Sequence, residues 1–470
     1  MGFRGESPVK QLRVPRVPRR CAESFTLIAS RSGGASCSRI RAQGCTDGEW
    51  GGFVQDKHGQ MFDSGLTSAK YAVETSTQAG QSLDKANMVP EVFDYLLIGG
   101  GLQNALIALA VLKRDPGARV CLVERGATLG GNHLWCFHGF DLSEAGQALV
   151  APLVVRRWDG YSVRFPSFER HLDTPYAAVS SERVAQHVTE VFARQPRSRL
   201  ILGRSAERVA GRSATLNDGE ELQARVVIDA RGPEAYAREH VIGYQKFVGL
   251  ELELERPTEL EEPIVMDASV RQEDGFRFVY TLPLSPSRVL VEDTYFADGP
   301  ELDVGLLRTR ALAHARSLGL AVSGIHREET GVLPLPAAAV ATRAGSPWQA
   351  GYAGGWFHPT TGYSFPIAAR LALHVASTTP ETLFDTSYDS LAHEHARQQR
   401  YACLLNRLLF QAVPPEARRN VLERFYQLPE PSIARFYALS TTAFDRARIL
   451  CGRPPRGLSL ARAFSKGLLQ

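Results

Sequence analysis

The sequence lacks paired cysteines at the spacing that zinc and dithiol sites use. Its seven cysteines include no C-x-x-C pair and no pattern of metal ligands. We therefore predict reduced thiols in a cytoplasmic protein and no metal site. An excess of one charge sign is also lacking, since residues 91–470 contain 42 basic and 42 acidic side chains. This balance gives no support for a nucleic-acid partner.

A membrane-spanning run is lacking as well, although one segment comes close. Tyr95–Leu112 has 18 residues without a charge, but three glycines and the polar pair Gln103 and Asn104 interrupt it. A strand, a tight turn and a helix explain this pattern better than a membrane span does.

Residues 1–90 show no sustained apolar periodicity and are rich in Arg, Gly, Ser and Pro. We predict that they form a disordered or non-native N-terminal extension. Two explanations fit their basic start: a transit peptide, or a start site placed too far upstream. We favour the second, with Met88 as the natural beginning, because the folded pattern starts three residues later.

The folded pattern opens with a predicted βαβ unit of the nucleotide-binding type. Val92–Ile98 is typical of a buried parallel strand, Gln103–Lys113 of a helix and Arg119–Val123 of a second strand. Glu124 ends this second strand, where an acidic side chain can accept hydrogen bonds from a ribose hydroxyl.

Glycines occupy the turn between the first strand and the helix. Gly99, Gly100 and Gly101 would let a diphosphate approach the backbone at a helix N-terminus, where free N–H groups and the dipole favour anions. Asn104 stands where the motif G-x-G-x-x-G has its third glycine, so the motif alone is weak. The surrounding strand, helix and acidic end make dinucleotide binding the favoured prediction.

Two later segments indicate that the dinucleotide is FAD. RVVIDARG (Arg225–Gly232) is an apolar strand that ends in Asp229 and Gly232. GGWFHPTTGYSFP (Gly354–Pro366) is a glycine-rich turn before an apolar helix, and its candidate cofactor-binding residues are Gly355, Pro359 and Gly362. Either segment alone could be an ordinary strand-to-turn connection, but their order along the chain favours FAD.

Five runs of the body resemble the bacterial lycopene β-cyclases. They are GGGLQNALIAL from Gly99, GGNHLWCFH from Gly130, DGFRFVYTLPLSPSRVLVEDT from Asp274, FHPTTGYSFP from Phe357 and RFYQLPEPSIARFYA from Arg424. The resemblance spans about 91–455 and includes none of the first 90 residues. Several of these runs are too long to arise by chance.

The resemblance implies an α/β fold with a Rossmann-like FAD-binding domain, a mixed β-sheet substrate domain and a helical C-terminal region. We place the FAD-binding domain at 91–240 with a return segment at 341–380, the substrate domain at 241–340 and the helical region at 381–470. The implied activity converts lycopene through γ-carotene to β-carotene. This isomerisation is redox-neutral yet needs reduced FAD, with NAD(P)H as the reductant.

Ring closure requires an acid, a base and stabilisation of a cation. VLVEDT (Val289–Thr294) places Glu292 and Asp293 at the end of a predicted apolar strand, where neighbouring residues face opposite sides. By resemblance Glu292 occupies the family's essential acidic position, and we predict that it is the general acid or base. Asp293 is expected to orient it or to cap the following turn. Without the resemblance, the pair could equally end a strand in solvent.

The C-terminal region has the features of a membrane contact. Residues 397–470 contain 13 basic and four acidic side chains. Four leucines within 401–410 share one helical face, and three aromatic residues follow: Leu404, Leu405, Leu408, Leu409, Phe425, Phe436 and Tyr437. Because a polyene substrate dissolves in the bilayer, we predict peripheral association with a membrane surface. An equally open alternative is that these side chains pack in the core.

Two other classes of function stay open. An FAD-dependent oxidoreductase acting on a hydrophobic prenyl substrate would consume nicotinamide nucleotide in proportion to its product. A non-catalytic carotenoid- or flavin-binding protein would convert nothing. The resemblance and the acidic VLVEDT segment favour the cyclase.

Overall fold

The computed structural model describes residues 91–232, 241–340 and 343–450, together with the backbone of two short antiparallel strands at 53–55 and 61–63. The chain divides into two compact units, Met1–Met88 and Val89–Gln470. Apart from the two short strands, the extension predicted at 1–90 lies outside the described residues, as does the end of the helical region at 451–470.

The elements are numbered in chain order. The strands are β1 (Phe53–Gln55), β2 (Met61–Asp63), β3 (Val92–Ile98), β4 (Val120–Glu124), β5 (Leu134–His138), β6 (Val154–Trp158), β7 (Tyr161–Phe165), β8 (Phe168–Leu172), β9 (Tyr176–Ser180), β10 (Arg199–Leu202), β11 (Ala206–Ala210), β12 (Ser213–Leu216), β13 (Glu221–Asp229), β14 (Val241–Leu254), β15 (Ile264–Asp267), β16 (Phe276–Ser285), β17 (Arg288–Ala297), β18 (Val322–Pro336) and β19 (Trp348–Gln349). The helices are α1 (Leu102–Arg114), α2 (Glu144–Val150), α3 (Ser181–Ala193), α4 (Val304–Ser317), α5 (Phe365–Ser377), α6 (Thr386–Arg407), α7 (Arg418–Phe425), α8 (Glu430–Tyr437) and α9 (Ala443–Leu450).

The first sheet has the order β10-β4-β3-β13-β12-β11, with β19 beside β13. Its centre is parallel, since β3 pairs in parallel with both β4 and β13. Helix α1 is buried from Leu102 to Leu112 because it lies between this sheet and α5. The βαβ prediction is confirmed: the first strand has the predicted bounds, and the helix is one residue longer at each end.

The second sheet has the order β18-β14-β17-β16-β15-β7-β8, and its long central strands are antiparallel. Helix α4 covers one face, where Leu307 and Ala311 pack against Val248 and Val291. The other face packs against the C-terminal helices. Strands β7 and β8 also belong to this sheet, so residues 91–240 contribute to both sheets and not only to the FAD-binding domain that we predicted there.

The C-terminal helices close over the second face of that sheet. Leu409 is buried there, and Phe425 and Tyr437 are partly buried against the same cluster. Phe436 is buried next to these two aromatic residues, with its ring 4.8 Å from that of Phe425. These four residues pack in the core, whereas the other three leucines of the predicted face, Leu404, Leu405 and Leu408, are half-buried. Within residues 91–232, 241–340 and 343–450, no helix is both long and apolar enough to cross a bilayer.

Candidate active site

The glycine turn after β3 forms a cradle with open space at the start of α1. Gly99 has φ +92°, and a Cβ there would lie 3.1 Å from the Ala230 carbonyl oxygen. A Cβ at Gly100 would lie 2.4 Å from Leu129 Cδ2, so the Leu129 side chain would have to move, whereas at Gly99 the positive φ itself disfavours any side chain. A Cβ at Gly101 would meet no described protein atom within 4 Å, and no described side chain caps α1. The first N–H groups of α1 can therefore bind a ligand phosphate.

Glu124 and Asn104 hold this turn in shape. The Glu124 carboxylate accepts the N–H of Gly100 at 2.6 Å and that of Gly126 at 2.7 Å. The Asn104 side chain is fully buried, and its amide donates to the carbonyls of Ile98 and Gly99 at 2.9 Å each. Asn104 thus shapes the cradle from behind, and its direct contact with a cofactor stays a prediction.

The end of β13 lies beside the glycine turn. The Ala230 N–H donates to the Ile98 carbonyl at 2.9 Å, which fixes the two strand ends side by side. Asp229 is buried and accepts from the Arg231 guanidinium at 2.9 and 2.7 Å. A Cβ at Gly232 would meet no described atom within 4 Å, so open space continues along this edge.

The predicted return segment joins the cradle to the second sheet. Two of its carbonyls anchor it to α6: that of Gly355 accepts from His395 Nε2 and that of Pro359 from the Asn406 amide, both at 2.9 Å. Gly362 has φ +66°, and a Cβ there would lie 2.9 Å from Leu333 on β18. Gly362 therefore lies at the junction, the point where the return segment contacts β18. Gly355 and Pro359 attach the segment to α6.

These arrangements fit a dinucleotide such as FAD. The N–H groups at the start of α1, which no described side chain caps, and the room beside Gly101 and Gly232 suit a diphosphate, and the acidic strand end at Glu124 suits a ribose. The predicted cofactor-binding residues lie on three chain segments that come together at one edge of the first sheet.

Glu292 lies within β17 and not at the end of a strand as we predicted, since β17 continues to Ala297. Its side chain is half-buried, and Oε1 accepts from the Thr294 hydroxyl at 2.7 Å. A Cβ at Gly249 would lie 3.2 Å from Oε2, so the carboxyl group leans over this glycine of β14. Burial, with the nearby negative charge of Glu329, raises the pKa of Glu292 to about 8. At neutral pH the group is therefore mostly a carboxylic acid.

The expectation for Asp293 was wrong. Its side chain lies on the opposite face of β17 and is completely buried, so it neither orients Glu292 nor caps a turn. Both of its oxygens bind the Arg277 guanidinium, at 2.8 and 2.9 Å. This ion pair lies beneath α4 and has a structural role. Glu292 is therefore the only acidic residue of β17 on its face of the strand.

One row of side chains crosses four strands at Glu292. The register places Glu329 opposite Gly249, Gly249 opposite Glu292, and Glu292 opposite Tyr280. Residues directly opposite in a ladder point to the same face, so Glu329, Glu292 and Tyr280 share it. The Glu329 carboxylate accepts from His133 Nδ1 at 2.8 Å and from the Leu134 N–H at 3.0 Å.

A cluster of aromatic side chains lies close to Tyr280. The His138 ring lies 5.3, 5.0 and 4.9 Å from the rings of Tyr161, Tyr176 and Tyr437. Burial raises the pKa of Tyr176 well above its usual value and that of Tyr437 to about 12, so both stay neutral. Such electron-rich ring faces attract cations.

Comparison with known proteins decides the family. The model of a family described as lycopene cyclase protein matches residues 94–463. The chain is 41% identical over 371 residues to the lycopene beta-cyclase of Pantoea ananas, which is 77% of this chain and 95% of that protein. It is 38% identical over 376 residues to the lycopene beta-cyclase of a Paracoccus species, which is 78% and 96% of the two chains.

The chain belongs to the lycopene cyclase family. The resemblance predicted from the sequence, and with it a carotenoid-cyclising enzyme, is confirmed. Solved structures confirm the predicted α/β fold class. A geranylgeranyl bacteriochlorophyll reductase-like protein from Thermoplasma acidophilum has a TM-score of 0.58 at 12% identity and covers 81% of this chain and all of that one. The p-nitrophenol 4-monooxygenase of Pseudomonas putida has a TM-score of 0.57 at 14% identity, and the match covers 75% of this chain and 99% of that one.

Sequence reasoning missed several residues of this candidate site. Strand register places Glu329 and Tyr280 beside Glu292, and the small sheet β5-β9-β6 carries His138 and Tyr176. His133, within the run GGNHLWCFH, pairs with Glu329. A partial signal existed for Glu329, because two consecutive acidic residues at 328–329 precede the apolar end of a strand.

Proposed function

We propose that this member of the lycopene cyclase family is a lycopene β-cyclase. Its substrate is lycopene or a related acyclic carotenoid, and it converts the open ends to β-rings through γ-carotene to β-carotene. The observation that carries the proposal is Glu292, a carboxylic acid held protonated at neutral pH on a sheet face that leads to an aromatic cluster. An acid of this kind can protonate an alkene, which an ionised surface carboxylate cannot do.

Glu292 supplies the proton that starts the reaction. The proton adds to the terminal double bond of the polyene and leaves a tertiary cation. A neighbouring double bond attacks this cation, the ring closes, and a proton leaves the ring carbon to form the β-ring. One proton enters and one leaves, so the isomerisation is redox-neutral and the glutamate can be reprotonated by the proton released.

The aromatic cluster supports the cationic stages. The neutral tyrosine rings around His138 offer their faces to a positive charge, and a neutral phenol is a poor nucleophile that does not readily trap it. Burial also excludes water, which would otherwise add to the cation. Tyr280, beside Glu292, is neutral as well, because burial raises its pKa well above the usual value.

FAD would be held by the glycine cradle, Glu124, the end of β13 and the return turn at Gly362. We propose that it acts in the reduced form, with NAD(P)H as the reductant. When bound, the reduced flavin would supply negative charge that stabilises the cation. The junction at Gly362, where the cradle meets β14 and β18, supports this placement, because a Cβ there would lie 3.4 Å from Gln245 Oε1 on β14.

A hydrocarbon substrate requires access to a bilayer, and we propose peripheral contact with a membrane surface. Phe444 on α9 is 65% exposed, and Arg448 lies 4.5 Å above its ring. An exposed aromatic ring next to a cationic side chain suits the headgroup region of an anionic membrane.

The test is expression of the full chain in a lycopene-accumulating bacterium, followed by assay of the purified protein with reduced FAD. We expect monocyclic and then bicyclic carotenes, without NAD(P)H oxidation in proportion to product. Glu292→Gln should lower the rate at least 10³-fold with FAD retained. Glu253→Gln, on an exposed part of β14, is the matched control and should cyclise normally. Stoichiometric NAD(P)H oxidation would favour an oxidoreductase, and a normal rate in Glu292→Gln would refute the assignment.

A further inference from the structure

Glu329 and Glu292 are two carboxyl groups on one sheet face, separated by a single glycine. Gly249 on β14 lies directly opposite Glu329 on β18 and directly opposite Glu292 on β17. Because Gly249 has no side chain, the Glu292 carboxyl can lean across β14 in the direction of Glu329. Any larger residue at 249 would stand between the two acids.

Glu329 is held in place more firmly than Glu292. Both Glu329 oxygens accept hydrogen bonds, one from the His133 ring and one from the Leu134 N–H. Its side chain is 7% exposed, whereas the His133 ring is 47% exposed and connects the pair to solvent. Two N–H donors hold a carboxylate in one position and stabilise its negative charge.

We infer that Glu329, fixed by His133, is a positioning residue of the cyclisation, and that its negative charge keeps Glu292 in the protonated form needed to start the reaction. The inference rests on the proposed role of Glu292. Two carboxyl groups in one poorly solvated site cannot both ionise readily, so the one that is better supplied with donors is charged and the other retains its proton. Glu292 receives one hydroxyl donor and Glu329 receives two N–H donors.

The other ionisable groups that face Glu292 do not provide this charge. Tyr280 on β16 and Cys136 on β5 are neutral, since burial raises the pKa of the tyrosine well above its usual value and that of the thiol to about 12. Asp293 on the opposite face is neutralised by Arg277. The next acids on the same face of β14 are Glu251, whose carboxylate binds both Arg327 and Arg288, and the exposed Glu253, which lies beside Arg288.

The test is the pH dependence of kcat/KM for lycopene cyclisation in phospholipid vesicles with reduced FAD. In the parent enzyme, activity should fall above about pH 8, as Glu292 loses its proton. In Glu329→Gln this alkaline limb should move down by about one pH unit, since one nearby charge in a partly buried site has roughly that effect. Activity at pH 6 should stay within about twofold of the parent, because Glu292 is protonated in both.

Controls separate charge from structure. Glu328→Gln removes the same group from the neighbouring residue of β18, which faces the other way and pairs with Arg308, and its limb should not move. Glu329→Asp keeps the charge and should keep the parental limb. If Glu329→Gln does not fold, the double variant His133→Gln, Glu329→Gln retains a hydrogen-bonded neutral pair and should show the same downward shift.

If the alkaline fall of kcat/KM stays at the parental pH in a folded Glu329→Gln variant, the inference is wrong. Loss of activity at every pH would also overturn it, because Glu329 would then take part in the reaction directly. Failure of the proposed function is recognised separately, because the parent enzyme would then form no cyclic carotene at any pH.

Discussion

The hydrogen bond from Thr294 to Glu292 gives a direct way to move the titration of the proposed acid. The Thr294 hydroxyl donates to Glu292 Oε1 over 2.7 Å and favours the carboxylate, against the burial that raises the pKa to about 8. Thr294→Val removes the donor with little change in shape. The pKa of Glu292 should therefore rise further.

The size of the shift follows from the strength of that bond. A hydrogen bond to a charged group contributes roughly 1.5 kcal/mol net, which corresponds to roughly one pKa unit. The alkaline limb of kcat/KM should move up by about one pH unit in Thr294→Val. Below pH 7 the variant and the parent should have the same rate, because Glu292 is protonated in both.

The assay is the conversion of vesicle-bound lycopene from pH 6 to 10, with carotenes separated by chromatography. Thr281→Val is the matched control. Thr281 is also fully buried, but its register partner is Val291, so its hydroxyl lies on the other face of the sheet. Its pH profile should coincide with that of the parent. A limb that stays in place in Thr294→Val, or moves to lower pH, would refute the assignment of the limb to Glu292.

Two further predictions concern the cofactor cradle and stability. Gly101→Ala should leave the melting temperature of the apoprotein unchanged, because a Cβ there meets no described atom within 4 Å, yet it should weaken FAD binding at least tenfold by entering the diphosphate space. Gly305→Ala, in the first turn of α4, is its control, and equal FAD affinity in the two variants, measured by fluorescence titration, would contradict the placement. Glu292→Gln should stabilise the fold at alkaline pH. The pKa of the carboxyl group is 4.5 in the unfolded chain and about 8 in the folded protein. Its contribution to the free energy of unfolding is therefore fully present below pH 4.5 and is lost as the pH rises to 8. Urea unfolding should show a gain of roughly 5 kcal/mol at pH 9 and none at pH 4, and an equal gain at both would argue against a buried acid.

The cofactor cradle was predictable because its residues are close in sequence. A strand, three glycines and a helix within 92–114 follow from local periodicity and from the need of a diphosphate for bare backbone. Even here the structure added a role, since Asn104 hydrogen bonds to two carbonyls of the turn from within the helix. Nothing in the spacing of the motif distinguishes that contact from one with the cofactor.

The acid site was predictable only in part. The resemblance selected Glu292, but the expectation that Asp293 assists it was wrong, because alternation along β17 turns Asp293 to Arg277 on the far face. Two of the three C-terminal aromatic residues, Phe425 and Tyr437, pack against the core of the second sheet, and helix periodicity alone did not decide this.

The sequence by itself determined the family and the α/β class and led to Glu292 as the proposed acid, because these depend on residues that are local or that belong to long matching runs. Only the tertiary structure decided which groups surround that acid. Strand register places Glu329 two strands from Glu292 although 37 positions separate them in the chain, and the intervening Gly249 clears the space between them. The proton affinity of Glu292 arises from this burial and this neighbouring charge, and both are properties of the folded sheet.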